Sequence, residues 1–476
     1  MTEVSILNYS DAVELAHDVS AQWAASSAEQ RIALLNGLAE ALFADANRLA
    51  LLANEETNLG IPRLLSELER TCFQLRGFAQ QVTERRPFRV VDDAATPGVP
   101  PYGRPHVMKT LVPLGSVAMF SASNFPFAFS VLGGDTASAL AAGCPVVVKA
   151  HSGHPRLSRE VFFLAQRVLR ELKLEPGVIQ LVEGAGHEVG VGLVRHPHIK
   201  AVAFTGSYQG GTALWREANA RETPIPFYGE LGSINPVVIL SGALEHDPTE
   251  LGMTLSKSIE FGCGQICTSP GVVVLFEGER SEAFVAGLSE GMQTHRHHLM
   301  LTPGMKHNFV EGVHRIKSVQ GVDIVLDSLS TEDAQVPPTS FLARTTGANF
   351  IHHAELREEV FGPACLIVAV QTHEEILKVL RCIGGSLTTT IWGLEEDTVQ
   401  NREILRAASQ VAGRVLFSGV PTGVAICRAQ VHGGPWPSST SPLSTSVGYA
   451  ALERFLRPIA LQGAPEWVAS LRGQPC

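Results

Sequence analysis

A cysteine set among turn-forming residues, with an apolar strand-like run just behind it, is where this chain best accommodates covalent chemistry: Phe261-Gly262-Cys263-Gly264-Gln265-Ile266-Cys267-Thr268-Ser269-Pro270. A thiol in such a setting can act as a nucleophile once ionised, whereas a cysteine packed in a core is inert. Cys267 is the expected nucleophile and Cys263 a packing residue or bystander. Asn124, in Ser123-Asn124-Phe125-Pro126, carries an amide N–H suited to an oxyanion, or else closes an Asx turn before proline. Glu230, in Tyr228-Gly229-Glu230-Leu231-Gly232, is flanked by glycines that leave room for water beside the carboxylate, as a general base requires. A capping or surface glutamate is its other use.

Two glycine patterns have the composition of phosphate cradles. Gly184-Ala185-Gly186-His187-Glu188-Val189-Gly190 is one residue too long in its last spacing for the dinucleotide fingerprint and reads as a turn. Phe204-Thr205-Gly206-Ser207 ends a strand and enters a helix through Gly210 and Gly211, so its N–H groups and hydroxyl suit an anion or a capped turn. Lys149 ends another apolar strand, where its ammonium group meets a ribose or snorkels to water. Three residues later stands Ser152, and an uncharged side chain there leaves a 2′-phosphate, and hence NADP, permitted. The histidines at 196, 198, 295, 297, 298, 352 and 353 lack an ordered set of companion ligands, so no metal is expected.

The elements that must position these residues follow from the pattern. Residues 10–85 read as helices, with a capping box at Ser27-Ala28-Glu29-Gln30 and a break at Gly60 and Pro62. Val90 to Pro113 turns to proline, glycine and β-formers, a projecting hairpin or a surface loop. From Gly115 to Glu230 strands alternate with helices: Val117–Phe120, Val146–Lys149, Val178–Val182, Ala201–Thr205 and Ile225–Tyr228, with a helix from Phe129 to Ala142 stopped by Gly143. That is the form of a helix-covered parallel sheet, whose ligands sit at the carboxyl ends of the strands. A second α/β unit begins near Pro236, contains strands at Gly271–Phe276 and Ala364–Val370, and holds Cys267. Beyond His432 the chain is rich in Pro, Ser, Thr and Gly and closes with a helical segment near Ala450–Arg457.

The 476 residues, 45% hydrophobic, suit two or three domains with a large core. A net charge of −10 and no basic tract speak against nucleic acid as a partner. Eight cysteines are too sparse for a disulfide scaffold, and no signal-like leader or membrane-length apolar run is read, so a cytoplasmic protein away from membranes is expected.

In their order and separation, Ser123-Asn124-Phe125-Pro126, Lys149, Phe204-Thr205-Gly206-Ser207, Glu230-Leu231-Gly232, Gly264-Gln265-Ile266-Cys267 and Glu359-Val360-Phe361-Gly362-Pro363 resemble the aldehyde dehydrogenase superfamily, from about residue 10 to 460. The resemblance implies an α/β fold with a Rossmann-type cofactor domain (1–93 and 114–232), an α/β catalytic domain (233–432), and a small β oligomerisation arm with a C-terminal tail (94–113 and 433–476). It implies Cys267 as nucleophile, Asn124 as oxyanion donor and Glu230 as base. Lys149, Ser152, Gly206 and Ser207 would hold the adenosine side of NADP, or of NAD, with Glu359 on the nicotinamide ribose and Phe361 beside it. The turn at Gly184–Gly190 would lie near the cofactor without cradling its phosphates. Ser123, Ser233-Ile234 and Gly271 depart from the commonest pattern and, with His432-Gly433-Gly434-Pro435, look like the subgroup of α-ketoglutarate semialdehyde (2,5-dioxovalerate) dehydrogenases and NADP-dependent long-chain aldehyde dehydrogenases. The reaction implied is oxidation of an aldehyde to an acid through a cysteine thioester, by a homodimer or homotetramer whose arm and tail pair between subunits. A cofactor-independent cysteine thioesterase or esterase is the other use of the same thiol.

Overall fold

The computed structural model describes residues 5–85, 90–184, 187–327 and 331–470. Its N-terminal part is helical, as the pattern predicts. The hydroxyl of Ser27 accepts from the Gln30 N–H at 3.3 Å while Gln30 Oε1 accepts from the Ser27 N–H at 3.0 Å, a complete capping box opening the helix Ala28–Ala44. Gly60, at φ 87°, and Pro62 open the long helix Ile61–Thr83.

The arm is a hairpin. Strands β1 (Val91–Asp93) and β2 (Val107–Pro113) pair antiparallel. Five parallel strands follow: β3 (Val117–Phe120), β4 (Val146–Lys149), β5 (Ile179–Val182), β6 (Ala201–Thr205) and β7 (Phe227–Glu230), in the order β5-β4-β3-β6-β7. Alternation along β3 shows why the sheet is covered on both faces: Val117 and Met119 pack into one hydrophobic cluster, Ala118 and Phe120 into another. The chain builds outward from β3 to β5, then returns to lay β6 on the other side of β3. Such a reversal is where sheets of this kind bind ligands, outside the carboxyl ends of the strands, and Asn124 and Gly206-Ser207 follow β3 and β6 there.

The second sheet contains β8 (Val237–Ile239), β9 (Val272–Phe276), β10 (Asp323–Asp327), β11 (Phe341–Thr346), β12 (Ala364–Val370), β13 (Ser386–Trp392) and β14 (Ala412–Leu416), in the order β10-β11-β12-β9-β8-β13-β14. Its strands are parallel except β10. A final strand, β15 (Leu456–Gln462), pairs antiparallel with β2 of the same chain, so arm and tail form one three-stranded sheet within the chain, where the sequence reading has them pair between subunits.

Five boundaries differ from the sequence reading, the first being β9, which starts at Val272 rather than Gly271. The last strand of the first sheet is Phe227–Glu230 rather than Ile225–Tyr228, because β6 pairs Val202 with Phe227 and Thr205 with Glu230. Glu230 is therefore the final residue of a strand rather than a residue beyond it. The helix ending at Ala142 begins at Gly134, not Phe129: the intervening residues fold into a loop, with the Ala122 N–H on the Phe129 carbonyl and the Gly134 N–H on the Ala128 carbonyl. Val178 closes a 3₁₀ turn ahead of β5. Tyr449–Phe455 is likewise a 3₁₀ helix, and its continuation is β15. The turn at Gly184–Gly190 falls partly outside the described residues, at positions 185–186.

Candidate active site

The loop carrying Cys267 is shaped by three consecutive left-handed residues, Gly262, Cys263 and Gly264, at φ 61°, 63° and 63°. They end the helix Pro248–Glu260 abruptly and turn the chain back toward β9. At Gly264 glycine is obligatory on a second ground, since a Cβ would lie 2.2 Å from the Gly362 carbonyl carbon. The cysteine loop thereby packs against the backbone of Glu359-Val360-Phe361-Gly362-Pro363. Buried Asn235 ties the loop from the other side: its Nδ2 donates to the Cys267 carbonyl at 2.9 Å and the Ser269 carbonyl at 3.0 Å. Cys263 is buried with its thiol pushed up to about 12, chiefly by burial, as suits a packing residue.

Two side chains from distant parts of the chain, His432 and Glu230, meet at the Cys267 sulfur. His432 Nε2 lies 3.6 Å from Cys267 Sγ and 3.0 Å from Glu230 Oε1, and the Ser446 hydroxyl donates to Glu230 Oε2. The tail arrives there because it runs beside the outer edge of β7: the Leu231 N–H donates to the Ser438 carbonyl and the Thr440 N–H to the Gly229 carbonyl. A histidine whose Nε2 faces a carboxylate carries its proton on that nitrogen. Nδ1 of His432 is buried without a partner among the described residues. His432 thus donates to Glu230 and is in no position to take the proton of Cys267.

These contacts set the charges. Burial pushes the Glu230 carboxyl up, but the charge and hydrogen bond of His432, with the bonds from Ser446 and Cys267, outweigh it and hold the group below its usual range. The Cys267 thiol is driven well above the ordinary thiol range by burial first, then by the charge and hydrogen bond of Glu230 and the charge of Glu359. Cys267 is consequently a neutral thiol at rest. Handing its proton to Glu230 removes the charge that opposes the thiolate, so the two ionisations are coupled.

Asn124 reaches the same loop. One N–H of its amide donates to the Gln265 carbonyl at 2.9 Å; an amide nitrogen carries two hydrogens, so a second is left for another acceptor. The backbone carbonyl of Asn124 accepts from Arg63 at 2.8 Å. A cavity of about 440 Å³ opens in front of Cys267 and His432, walled by Phe125, Phe129, Phe261 and Val424.

The remaining expected residues lie apart from the sulfur. Lys149 closes β4, half-buried, with Nζ on the Ala150 carbonyl at 2.8 Å, and Ser152 is exposed in the turn beyond. Ser207 caps the helix Tyr208–Asn219, its hydroxyl accepting from the Gly210 N–H at 3.2 Å, while the Gly206 N–H is engaged by the Glu230 carbonyl. Gly206 therefore offers space rather than a donor. Glu359 and Phe361 border a small recess with Ser233 and Gly264. Burial pushes the Glu359 carboxyl up to about 7. A cation, a capped helix start and an open strand edge at the sheet reversal, with a carboxyl group toward Cys267, fit a dinucleotide.

Sequence reasoning passed over His432 and Ser446 as participants. His432 was visible as part of His432-Gly433-Gly434-Pro435, but nothing local shows that the tail returns to β7. Glu230, Cys267 and His432 place ligand atoms within 4.8 Å of one another, a set that can also hold a cation.

Comparison with known proteins agrees with this geometry. Residues 4–434 match the family described as Aldehyde dehydrogenase family. The chain is 39% identical over 457 residues to alpha-ketoglutaric semialdehyde dehydrogenase 2 of Azospirillum brasilense, covering 96% of this chain and 86% of that protein. It is 35% identical over 456 residues to alpha-ketoglutaric semialdehyde dehydrogenase of Acinetobacter baylyi, with the same coverage. Among solved structures, lactaldehyde dehydrogenase from Escherichia coli superposes with a TM-score of 0.81 at 20% identity over 95% of this chain and 90% of that one. A structure of proline utilization A gives 0.79 at 24% identity over 97% of this chain, which spans 45% of that longer protein. Both likenesses speak for the fold alone.

Proposed function

The chain belongs to the aldehyde dehydrogenase family and is an NAD(P)-dependent enzyme of aldehyde oxidation, and from that premise we propose that it converts α-ketoglutarate semialdehyde (2,5-dioxovalerate) to 2-oxoglutarate through a thioester on Cys267. The observation that carries the chemistry is the convergence of Cys267, Glu230 and His432. The substrate is supported by what the relatives at 39% and 35% identity are called.

Cys267 gives its proton to Glu230 and its sulfur attacks the aldehyde carbon. The oxygen that becomes negative is met by the second N–H of Asn124 and the backbone N–H of Cys267, one such donor being worth about 3 kcal/mol in an oxyanion hole. A bound nicotinamide would supply the acceptor for the hydride that leaves that carbon, and Cys267 keeps the acyl group on its sulfur. Glu230 then gives the first proton to solvent, its ionised form favoured by His432 and Ser446, and draws a proton from water as the water oxygen attacks the thioester; Cys267 leaves as thiolate and takes that proton back from Glu230, and the acid is released. His432 acts as a positioning residue throughout, fixing the carboxylate it bonds.

Lys149, Ser152, Ser207 and Glu359 are proposed to hold the cofactor, Gly206 and Phe361 to shape its seat, and exposed, uncharged Ser152 leaves the 2′-phosphate of NADP permitted. The two parallel sheets support domain limits at 1–93 with 114–232 and at 233–432, with arm and tail (94–113 and 433–476) as the assembly element. Val99 (76% exposed) and Tyr102 (86% exposed) near the arm tip support a homodimer, or a tetramer built from it. Among the described residues no helix is long and apolar enough to cross a membrane. The test is a panel of aldehydes graded in length and charge, each run with NADP and NAD. Fastest reduction with α-ketoglutarate semialdehyde and NADP is expected; absence of turnover with every aldehyde contradicts the reading.

A further inference from the structure

The helix Ile61–Thr83 sets Arg63, Ser66, Glu67 and Arg70 at i, i+3, i+4 and i+7, one helical face, and all four border the cavity that holds Cys267. Neither arginine pairs with a carboxylate among the described residues. Arg63 donates from Nη2 to the Asn124 carbonyl and lies over the Phe125 and Phe261 rings at 5.4 and 5.5 Å, leaving Nη1 buried without a partner. Arg70 makes one bond, from Nη1 to the Val424 carbonyl at 2.6 Å, and its charge is near enough to Cys267 for the two to interact. Glu67, between them, is close enough to interact with both but pairs with neither: its Oε1 accepts from the Phe127 and Ala128 N–H groups at 2.7 and 2.9 Å, and its Oε2 is buried without a partner among the described residues. Burial pushes its carboxyl up to about 7, which weakens it further as a counter-charge.

Two guanidinium groups that share one carboxylate and pair with none, in a half-buried, aromatic-walled cavity, are an expensive arrangement unless a ligand completes it. We propose that Arg70, backed by Arg63, forms a carboxylate subsite that selects aldehydes bearing a carboxylate at the far end of the chain and brings the aldehyde carbon to Cys267. Phe125, Phe129 and Phe261 cover the methylene groups between the two ends. The proposal rests on the aldehyde-oxidising reading of Cys267 and adds the residues that recognise the substrate.

The experiment compares kcat/KM for an ω-oxo acid with that for an unbranched alkanal of equal chain length, in the wild type and in Arg70→Met, Arg63→Met and Arg70→Glu. The wild type should favour the oxo acid. In Arg70→Met that preference should fall about 10- to 100-fold, carried by KM, as expected for loss of a charge-assisted hydrogen bond. A smaller fall is expected in Arg63→Met, and Arg70→Glu should shift preference toward an ω-aminoaldehyde. Independently of any variant, glutarate should inhibit alkanal oxidation by the wild type competitively. A wild type that oxidises alkanals with no preference for the oxo acid, a preference unchanged in both Met variants, or glutarate without effect overturns the subsite and leaves aldehyde oxidation standing. No turnover of any aldehyde overturns both.

Discussion

Around Cys267, side chains from β7, the cysteine loop and the C-terminal tail bond directly to one another, and the loop is held by Asn235, Asn124 and the close approach of Gly264 to Gly362. Along the carboxyl edge of the five-stranded sheet, Lys149 and Ser207 bond only to backbone near themselves, and Ser152 is exposed. The difference follows from what each region has to do. Groups that exchange protons and stabilise a developing charge must be fixed before the reaction begins, because reorganisation at that moment costs rate. The groups proposed to hold a cofactor that arrives and departs need only a strand edge and a capped helix start. Substitutions around Cys267 should accordingly appear in kcat, and substitutions along the sheet edge in the KM of the cofactor.

The largest effect expected is that of Cys267→Ser, which should lower aldehyde oxidation by about 10⁴-fold or more, while Cys263→Ser should retain turnover. Parallel losses in the two variants would dissolve the distinction between the two cysteines. Next comes His432→Gln, for which we expect kcat to fall about 10- to 100-fold. Since His432 holds the Glu230 carboxyl below its usual range, its removal should raise that pKa, and the acid limb of the kcat profile should move to higher pH. A lower kcat with an unmoved limb would assign His432 to packing alone. The smallest effect is that of Ser207→Ala, which removes the cap on the Gly210 N–H at a cost of about 1 kcal/mol and should raise cofactor KM a few-fold at nearly constant kcat. A fall in kcat there would break the division between the two regions.

The same contrast explains what could be read from the sequence. Lys149 and Gly206-Ser207 stand where apolar strands run into turns, and strand ends are visible as local pattern; β3, β4 and β6 fall where the pattern placed them. Glu230 was placed one element too late because its strand end is set by pairing with Thr205, a contact that leaves no local mark. His432 and Ser446 escaped because the tail reads as proline- and serine-rich coil, and only its bonds to Gly229 and Leu231 bring it to the carboxylate. Arg63 and Arg70 left a trace in Arg63-Leu64-Leu65-Ser66-Glu67-Leu68-Glu69-Arg70, a helix with a polar face, but the pattern does not say whether that face meets water or a cavity.

The central claim is that Glu230 serves the second half of the reaction, the release of the acyl group from Cys267. Glu230→Gln, mixed rapidly with excess aldehyde and cofactor, should produce a burst of about one reduced nicotinamide per site and then stall, with mass spectrometry showing the acyl group on the peptide that contains Cys267. Steady turnover at the wild-type rate with no acylated Cys267 would contradict it.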